Sequence, residues 1–304
     1  MSEEKNGNAA GTSACASCGS AEVDDIKLKE CDDCDLVRYC SDACLKEHEP
    51  THKEACVKRA AELRDELLFK QPENTHLGDC PICMIPLPID QKKSTMHSCC
   101  SKVICKGCNH ANKIREAEGR IEQSCPFCRQ PVPTLDEQEK YRRKRIEAND
   151  PVAMLLEGIM RHGKGDYIKE FEYYTKATEL GDVEAHYKLA CMYNYEHGVE
   201  KDMGKKICHL EEAIIGGHPA ARYNLGVFEF QTGNSERAVK HWIIAASQGD
   251  NDSLKYLIDD FKRGFVGKED LDTALRAHQA AVDAAKSPQR EAAEKYFRNR
   301  TSVE

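Results

Sequence analysis

Residues 31–56 read CDDCDLVRYCSDACLKEHEPTHKEAC, and with the upstream pair they order as Cys15-x2-Cys18, Cys31-x2-Cys34, Cys40-x3-Cys44 and His52-x3-Cys56. Eight donors at this spacing suffice for two four-coordinate sites, because a C-x2-C knuckle brings two sulfurs to one cation. A second cluster follows. Cys80-Pro-Ile-Cys83 opens it, Cys125-Pro-Phe-Cys128-Arg129 closes it, and Cys99, Cys100, Cys105 and Cys108 lie between. Beyond Cys128 only Cys191 and Cys208 remain of the 17 cysteines, and their setting predicts small buried thiols with no metal role.

Such a density means either disulfides or metal. Met1–Asn8 is polar and acidic, with no apolar core of a secretory signal. No run approaches the roughly 20 apolar residues of a membrane-spanning helix. The expected compartment is therefore the reducing cytoplasm, with the nucleus as a second location, where thiolate–zinc sites persist. Zinc is the expected cofactor, with four ions for sixteen donors, in closed sites that leave no position for a catalytic water. The net charge of −8 argues against a nucleic-acid surface. Lys140–Arg145, KYRRKR, is read as a solvated face of a helical connector, with nuclear import as the alternative.

The first cluster, through its RYCSDAC…H…C pattern, resembles a MYND-type zinc finger. In that family the ligand pairs interleave. The resemblance implies one site from Cys15, Cys18, Cys40 and Cys44 and another from Cys31, Cys34, His52 and Cys56. His48 competes with His52, which has the better spacing. Leu45 and Glu49 stand where peptide-gripping members of the family carry glutamine and tryptophan, so the resemblance covers the zinc scaffold and leaves peptide binding open.

The second cluster resembles a RING domain of the all-cysteine variant. The family's cross-brace implies Cys80, Cys83, Cys105 and Cys108 on one ion, and Cys99, Cys100, Cys125 and Cys128 on the other. His97 is the alternative to Cys99. RING domains recruit a ubiquitin-conjugating enzyme through an aliphatic residue in the first knuckle, a proline in the last and a cation after the final ligand. Those positions are Ile82, Pro126 and Arg129. The implied activity is that of a ubiquitin ligase with no catalytic residue of its own, which works by orientation. The rival expectation is a non-enzymatic adaptor.

From Asp150 onward the texture changes. Ala177-x3-Gly181-x3-Ala185, Ala213-x3-Gly217-x3-Ala221 and Ala245-x3-Gly249-x3-Ser253 repeat one template, with Asn149-x3-Ala153 as a degenerate earlier copy. A helix ending near the alanine, a turn at the glycine and a new helix at the small residue account for it. Tyr187 and Leu189 correspond to Tyr223 and Leu225. Helix pairs at this period stack into a solenoid. The pattern resembles Sel-one-like repeats, which implies a protein-binding superhelix holding a substrate or scaffold partner.

The expected fold is mainly α: two small zinc-stabilised cross-brace modules followed by an α-solenoid of helix pairs. The expected divisions are a disordered tail (1–13), the MYND-type finger (14–56) and a helix and linker (57–79). The RING-type finger (80–130), a charged helical connector (131–148), the solenoid (149–287) and a C-terminal helix or tail (288–304) follow. Within 57–79, Leu63, Leu67 and Leu68 predict an amphipathic helix from about Val57 to Lys70, broken by Pro72.

Overall fold

A computed structural model describes residues 14–22 and 27–301, with the side chains of 300 and 301 left aside. The expected tail at 1–13 lies outside the described residues. The chain divides into two compact units, Met1–Lys70 and Gln71–Glu304.

In the first unit, β1 (Lys29–Glu30) pairs antiparallel with β2 (Arg38–Tyr39), Lys29 opposite Tyr39. Helix α1 then runs from Asp42 to Phe69. It is one helix and starts earlier than Val57. Ser41 sets the start, its side chain accepting from the Cys44 backbone N–H, the usual role of a serine at this position. Pro50 sits inside α1 and removes one backbone donor, while the Thr51 hydroxyl donates to the His48 carbonyl at 2.9 Å. The expected leucine stripe is broken: Leu68 is buried but Leu67 is 49% exposed.

The second unit opens with a RING-like module. Strands β3 (Ser94–His97) and β4 (Lys102–Cys105) form a hairpin with Ser94 opposite Cys105, and α2 (Lys106–Gly119) follows directly. Its small core is Leu87, Ile104 and the sulfurs of Cys80, Cys105 and Cys108. Helix α3 (Leu135–Glu147) begins with a capping box in which Thr134 and Glu137 satisfy each other's backbone N–H groups. The basic run is partly tied down there, with Arg142 donating to Glu157 at 2.7 Å and Arg145 to Asp150 at 2.6 Å.

Eight further helices, α4 (Pro151–Gly163), α5 (Tyr167–Glu179), α6 (Val183–Tyr195), α7 (Met203–Ile215), α8 (Pro219–Gln231), α9 (Ser235–Ser247), α10 (Asn251–Lys262) and α11 (Lys268–Ala284), form the solenoid, and α12 (Pro288–Thr301) ends it. The repeated template maps onto the joints. Gly181, Gly217 and Gly249 have φ of 81°, 83° and 95°, and Asn149, in the degenerate copy, 56°. After each glycine the next N–H reaches back to the template alanine: Asp182 to Ala177 at 3.0 Å, His218 to Ala213 at 2.9 Å and Asp250 to Ala245 at 3.1 Å. These bonds satisfy the helix's orphan carbonyls. The same Asp182, His218 and Asp250 then cap the following helix through their side chains. Alanines 177, 185, 213, 221 and 245 and Ser253 are all fully buried, so the small residues are where neighbouring helices touch.

Five residues after the buried Ala153 and Ala221, at the eighth residue of α4 and of α8, stand Gly158 and Gly226. A Cβ there would lie 2.4 Å from a Tyr174 ring carbon and 2.6 Å from Trp242 Nε1, respectively. Close approach of paired helices, not backbone flexibility, requires glycine at both. Cys191 is half-buried, but Cys208 is exposed. The expectation of two buried thiols is corrected for Cys208, which is exposed on α7.

Candidate metal centres

Three C-x2-C knuckles are built alike. The residue after the second cysteine takes a left-handed backbone, with φ of 74° at Gly19, 54° at Met84 and 63° at Arg129. Its N–H donates to the first cysteine's carbonyl at 2.9, 2.9 and 3.0 Å. The turn aims both sulfurs inward. It also fixes Arg129 on a strained backbone at the mouth of the last knuckle.

Donor atoms gather in four sets, each within 4.8 Å: Cys15, Cys18, Cys40 and Cys44; Cys31, Cys34, His52 and Cys56; Cys80, Cys83, Cys105 and Cys108; Cys99, Cys100, Cys125 and Cys128. Zinc–sulfur bonds of about 2.3 Å in a tetrahedron put sulfurs roughly 3.8 Å apart. The distances are 3.5 Å for Cys18–Cys40, 3.7 Å for Cys31–Cys56, 3.9 Å for Cys80–Cys108 and 3.4 Å for Cys99–Cys128. They are far beyond the ~2.05 Å of a disulfide, and all the cysteines are free. The donors therefore fit closed zinc sites.

Adjacent Cys99 and Cys100 reach one set because they lie in the β3–β4 turn, where the Cys100 and Ser101 N–H groups both bond the His97 carbonyl. His97 faces elsewhere, its Nε2 2.9 Å from Asn109 Oδ1. His52 Nε2 lies 3.2 Å from Cys34 Sγ. His48 is outside the set, contacting Tyr39 Oη at 3.1 Å and stacking on His52.

Crowding splits the acidities of the thiols. The Cys18 backbone N–H draws Cys15 down to about 6, while the Cys18 and Cys44 thiols push Cys40 up to about 12. The Cys105 thiol draws Cys80 down to about 4. Neighbouring thiols in each of these sets are thus driven apart in acidity, and closing a cage around zinc releases the protons that its thiols hold.

Beside the last set lies a network that the spacing did not announce. Glu116, 2% exposed, accepts from the Ser124 N–H at 3.0 Å, the Ser124 hydroxyl at 2.8 Å and Asn112 Nδ2 at 2.7 Å. Burial pushes its carboxyl up, but these bonds outweigh burial and hold it below the usual range. Asn112 Oδ1 in turn accepts from Arg129 Nη1 at 3.1 Å. Ile82 is 41% and Phe127 42% exposed, Arg129 is exposed, and Pro126 is buried. The apolar surface of the last knuckle is thus Phe127 more than Pro126. The i,i+4 spacing of Asn112 and Glu116 was the available signal.

A fifth grouping joins His76, Glu184 and His218. Glu184 Oε2 lies 3.2 Å from His76 Nε2 and 3.0 Å from His218 Nε2, and Lys188 Nζ lies 3.0 Å from Oε1. The imidazoles stack with centroids 4.1 Å apart and planes 9° from parallel. Both Nε2 atoms lie within hydrogen-bond distance of the same Glu184 oxygen, an arrangement that hydrogen bonds account for without an ion. His218 Nδ1 also accepts from the Ala221 N–H, which puts the ring's proton on Nε2, aimed at Glu184. The grouping is a hydrogen-bond clamp, holding the linker at His76 to the repeats.

Burial holds His218 below its ordinary 6.5. Burial pushes Glu184 up, but hydrogen bonds from His218 and His76 hold it well below 4.5. Both groups bind protons more readily unfolded, so stability present at neutral pH is lost as pH falls, first through 6.5 and then below 4.5. The protection of the 71–79 segment, taken relative to the intrinsic exchange rate at each pH, is expected to fall between pH 7 and pH 5.5. Glu184→Gln, which keeps an acceptor and removes the charge, is expected to cost about 1–2 kcal/mol in denaturant melts.

Comparison with known proteins agrees with this geometry. The MYND finger family model matches residues 15–56, and the Sel1 repeat model matches 153–182, 183–205 and 219–250. The chain is 38% identical over 53 residues, 17% of its length, to a protein named for a RING finger, ORF96 of Ostreid herpesvirus 1 (isolate France). It is 24% identical over 167 residues, 42% of its length, to DAP3-binding cell death enhancer 1 of Mus musculus. It spans 22% and 33% of those two relatives. Among solved structures, a Sel1 repeat protein from Oxalobacter formigenes aligns with 65% of this chain and 87% of its own, at 23% identity and a TM-score of 0.43. The protective antigen c5321 of uropathogenic Escherichia coli aligns with 48% of this chain and 33% of its own, at 25% identity and a TM-score of 0.40. The chain thus carries a MYND finger at 15–56 and Sel1 repeats, modules of protein–protein interaction, with RING-like cysteine sets between them.

Proposed function

We propose that this protein is a zinc-dependent adaptor that acts as a ubiquitin ligase. The RING-like module engages a ubiquitin-conjugating enzyme while the Sel1 repeats hold the substrate. Four zinc ions, one per donor set, support the two modules. The sites are structural, since each has four protein donors. The cytoplasm, with the nucleus as a second location, is the proposed setting.

The observation that carries this reading is the company Arg129 keeps. Its guanidinium is exposed, held at Nη1 by Asn112, and flanked in sequence by exposed Phe127. One nitrogen is anchored, and among the described residues the rest of the fork has no hydrogen-bond partner, which suits it to span two partners at once, the use for which arginine is suited over lysine. Exposed Ile82 supplies the apolar contact on the first knuckle. The reaction then gains rate from orientation alone.

Self-ubiquitination assayed across a panel of conjugating enzymes tests it. Arg129→Ala is expected to lower chain formation about 10- to 100-fold, the range for losing charge-assisted bonds, and Ile82→Ala to weaken capture of the conjugating enzyme. Wild-type activity no higher than that of Arg129→Ala with every enzyme in the panel would remove the ligase step and leave a non-enzymatic adaptor.

A further inference from the structure

Arg290, near the start of α12, is 7% exposed. A buried cation is costly unless an anion answers it. Its partners are main-chain carbonyls and one sulfur. Nη1 donates to Pro86 O and Ala285 O, both at 2.7 Å, and Nη2 donates to Ile85 O at 3.0 Å and Cys83 Sγ at 3.6 Å. Nε is buried without an acceptor. Among the described residues no carboxylate pairs with this guanidinium. The group it faces is the first RING-like cage, which as four thiolates around one divalent cation carries a net charge of about −2.

The rest of α12 is shaped to the same place. The Gly107 backbone abuts it so closely that a Cβ would lie 2.8 Å from Arg290 N. Gln289 Oε1 is 4.0 Å from Cys108 Sγ, Lys93 pairs with Glu294 at 2.7 Å, and Lys106 Nζ sits 5.0 Å over the Phe297 ring. A helix from the far end of the repeats therefore closes on the zinc loop, some 200 residues away in sequence.

We infer that Arg290 is the counter-charge of the Cys80, Cys83, Cys105 and Cys108 site, so that zinc loading there and docking of the C-terminal helix are one linked equilibrium. Without the cation the four-thiolate cage is not assembled, and the buried guanidinium has no anionic cage to answer it. With it, Arg290 donates to a charged cage. Outer partners of this kind alter metal affinity by roughly 10- to 100-fold, and linkage requires zinc to favour docking by the same factor. Zinc occupancy of this site then decides whether the repeats are tied to the RING-like module at both ends or only through α3 and the 71–79 segment. The inference rests on the zinc reading of this set.

The test is a chelator titration of the full-length, zinc-loaded chain, read by peptide-resolved hydrogen exchange and by zinc content. In the wild type, protection of 288–301 is expected to vanish together with that of 80–108. Arg290→Met, which keeps the apolar stem and removes the charge, is expected to move the 80–108 transition to chelator about 10- to 100-fold weaker. Arg290→Lys should restore part of it, and the transition of 15–56 should stay in place in both variants. Protection of 288–301 that survives loss of zinc from 80–108 in the wild type overturns the linkage without needing a variant. An unmoved 80–108 transition in Arg290→Met overturns the counter-charge. A wild-type chain with no zinc at 80–108 before titration overturns the zinc reading itself and the latch with it.

Discussion

Stripping zinc from the intact chain is expected to unfold both cysteine modules while leaving the repeats helical. The reason is how little else those modules bury. Among the described residues between 14 and 56 the buried side chains are Cys15, Cys34, Tyr39, His52 and Cys56, so Tyr39 is the one buried residue among them that is not a donor. Full burial of one such side chain is worth about 1.5–3 kcal/mol, against about 10–16 kcal/mol from each structural zinc. The buried apolar cluster of the RING-like module adds Leu87 and Ile104 to its sulfurs, with Leu77 and Val103 partly buried against them. Excess chelator at neutral pH should therefore abolish amide protection of β1 to β4 and α2, and expose the thiols to a maleimide. Most of the far-ultraviolet helical signal, carried by α4 to α11, should remain. Persistence of the β3–β4 hairpin after complete metal loss would contradict the account.

Trp242→Ala is expected to cost about 3–5 kcal/mol, the range for truncating a buried aromatic. Trp242 is wholly buried against Phe230 and Tyr256, with ring centroids 5.7 and 5.1 Å away, and its Nε1 donates to Tyr223 O at 3.4 Å. It also fills the notch left by Gly226, so the cavity borders α8, α9 and α10 at once. Repeat arrays transmit damage mainly to nearest neighbours. Hydrogen exchange should accordingly quicken in α8 to α11 far more than in α4 to α6. Uniform loss along the array would show a single cooperative block instead.

What could be read in the sequence was what is written locally. Metal donors must stand at short fixed spacings, so the four sets were visible as cysteine pairs. Once the cross-brace of each resembling family supplied the pairing, the donor atoms gathered in the same sets. The solenoid joints were visible because a glycine with positive φ between two small buried residues leaves a period of its own. Helix α1 was half-hidden. Its first turns are charged and contain Pro50, which masked a start fixed by Ser41 and by donors on the helix itself. Contacts made across long sequence distances left no mark. The His76–Glu184–His218 clamp joins residues 108 and 34 positions apart, and nothing in the composition of α12 tells that Arg290 lies against Cys83. Pro126 was the expected contact of the last knuckle, but the turn that aims Cys125 and Cys128 inward buries it and turns Phe127 out.

Metal stoichiometry of the natively purified chain tests the central claim most directly. Elemental analysis paired with native and denaturing mass measurement is predicted to find close to four zinc ions per chain, with every cysteine recovered as a free thiol after the metal is removed. A chain that carries no metal, or whose cysteines between 15 and 128 are recovered as disulfides, would contradict it.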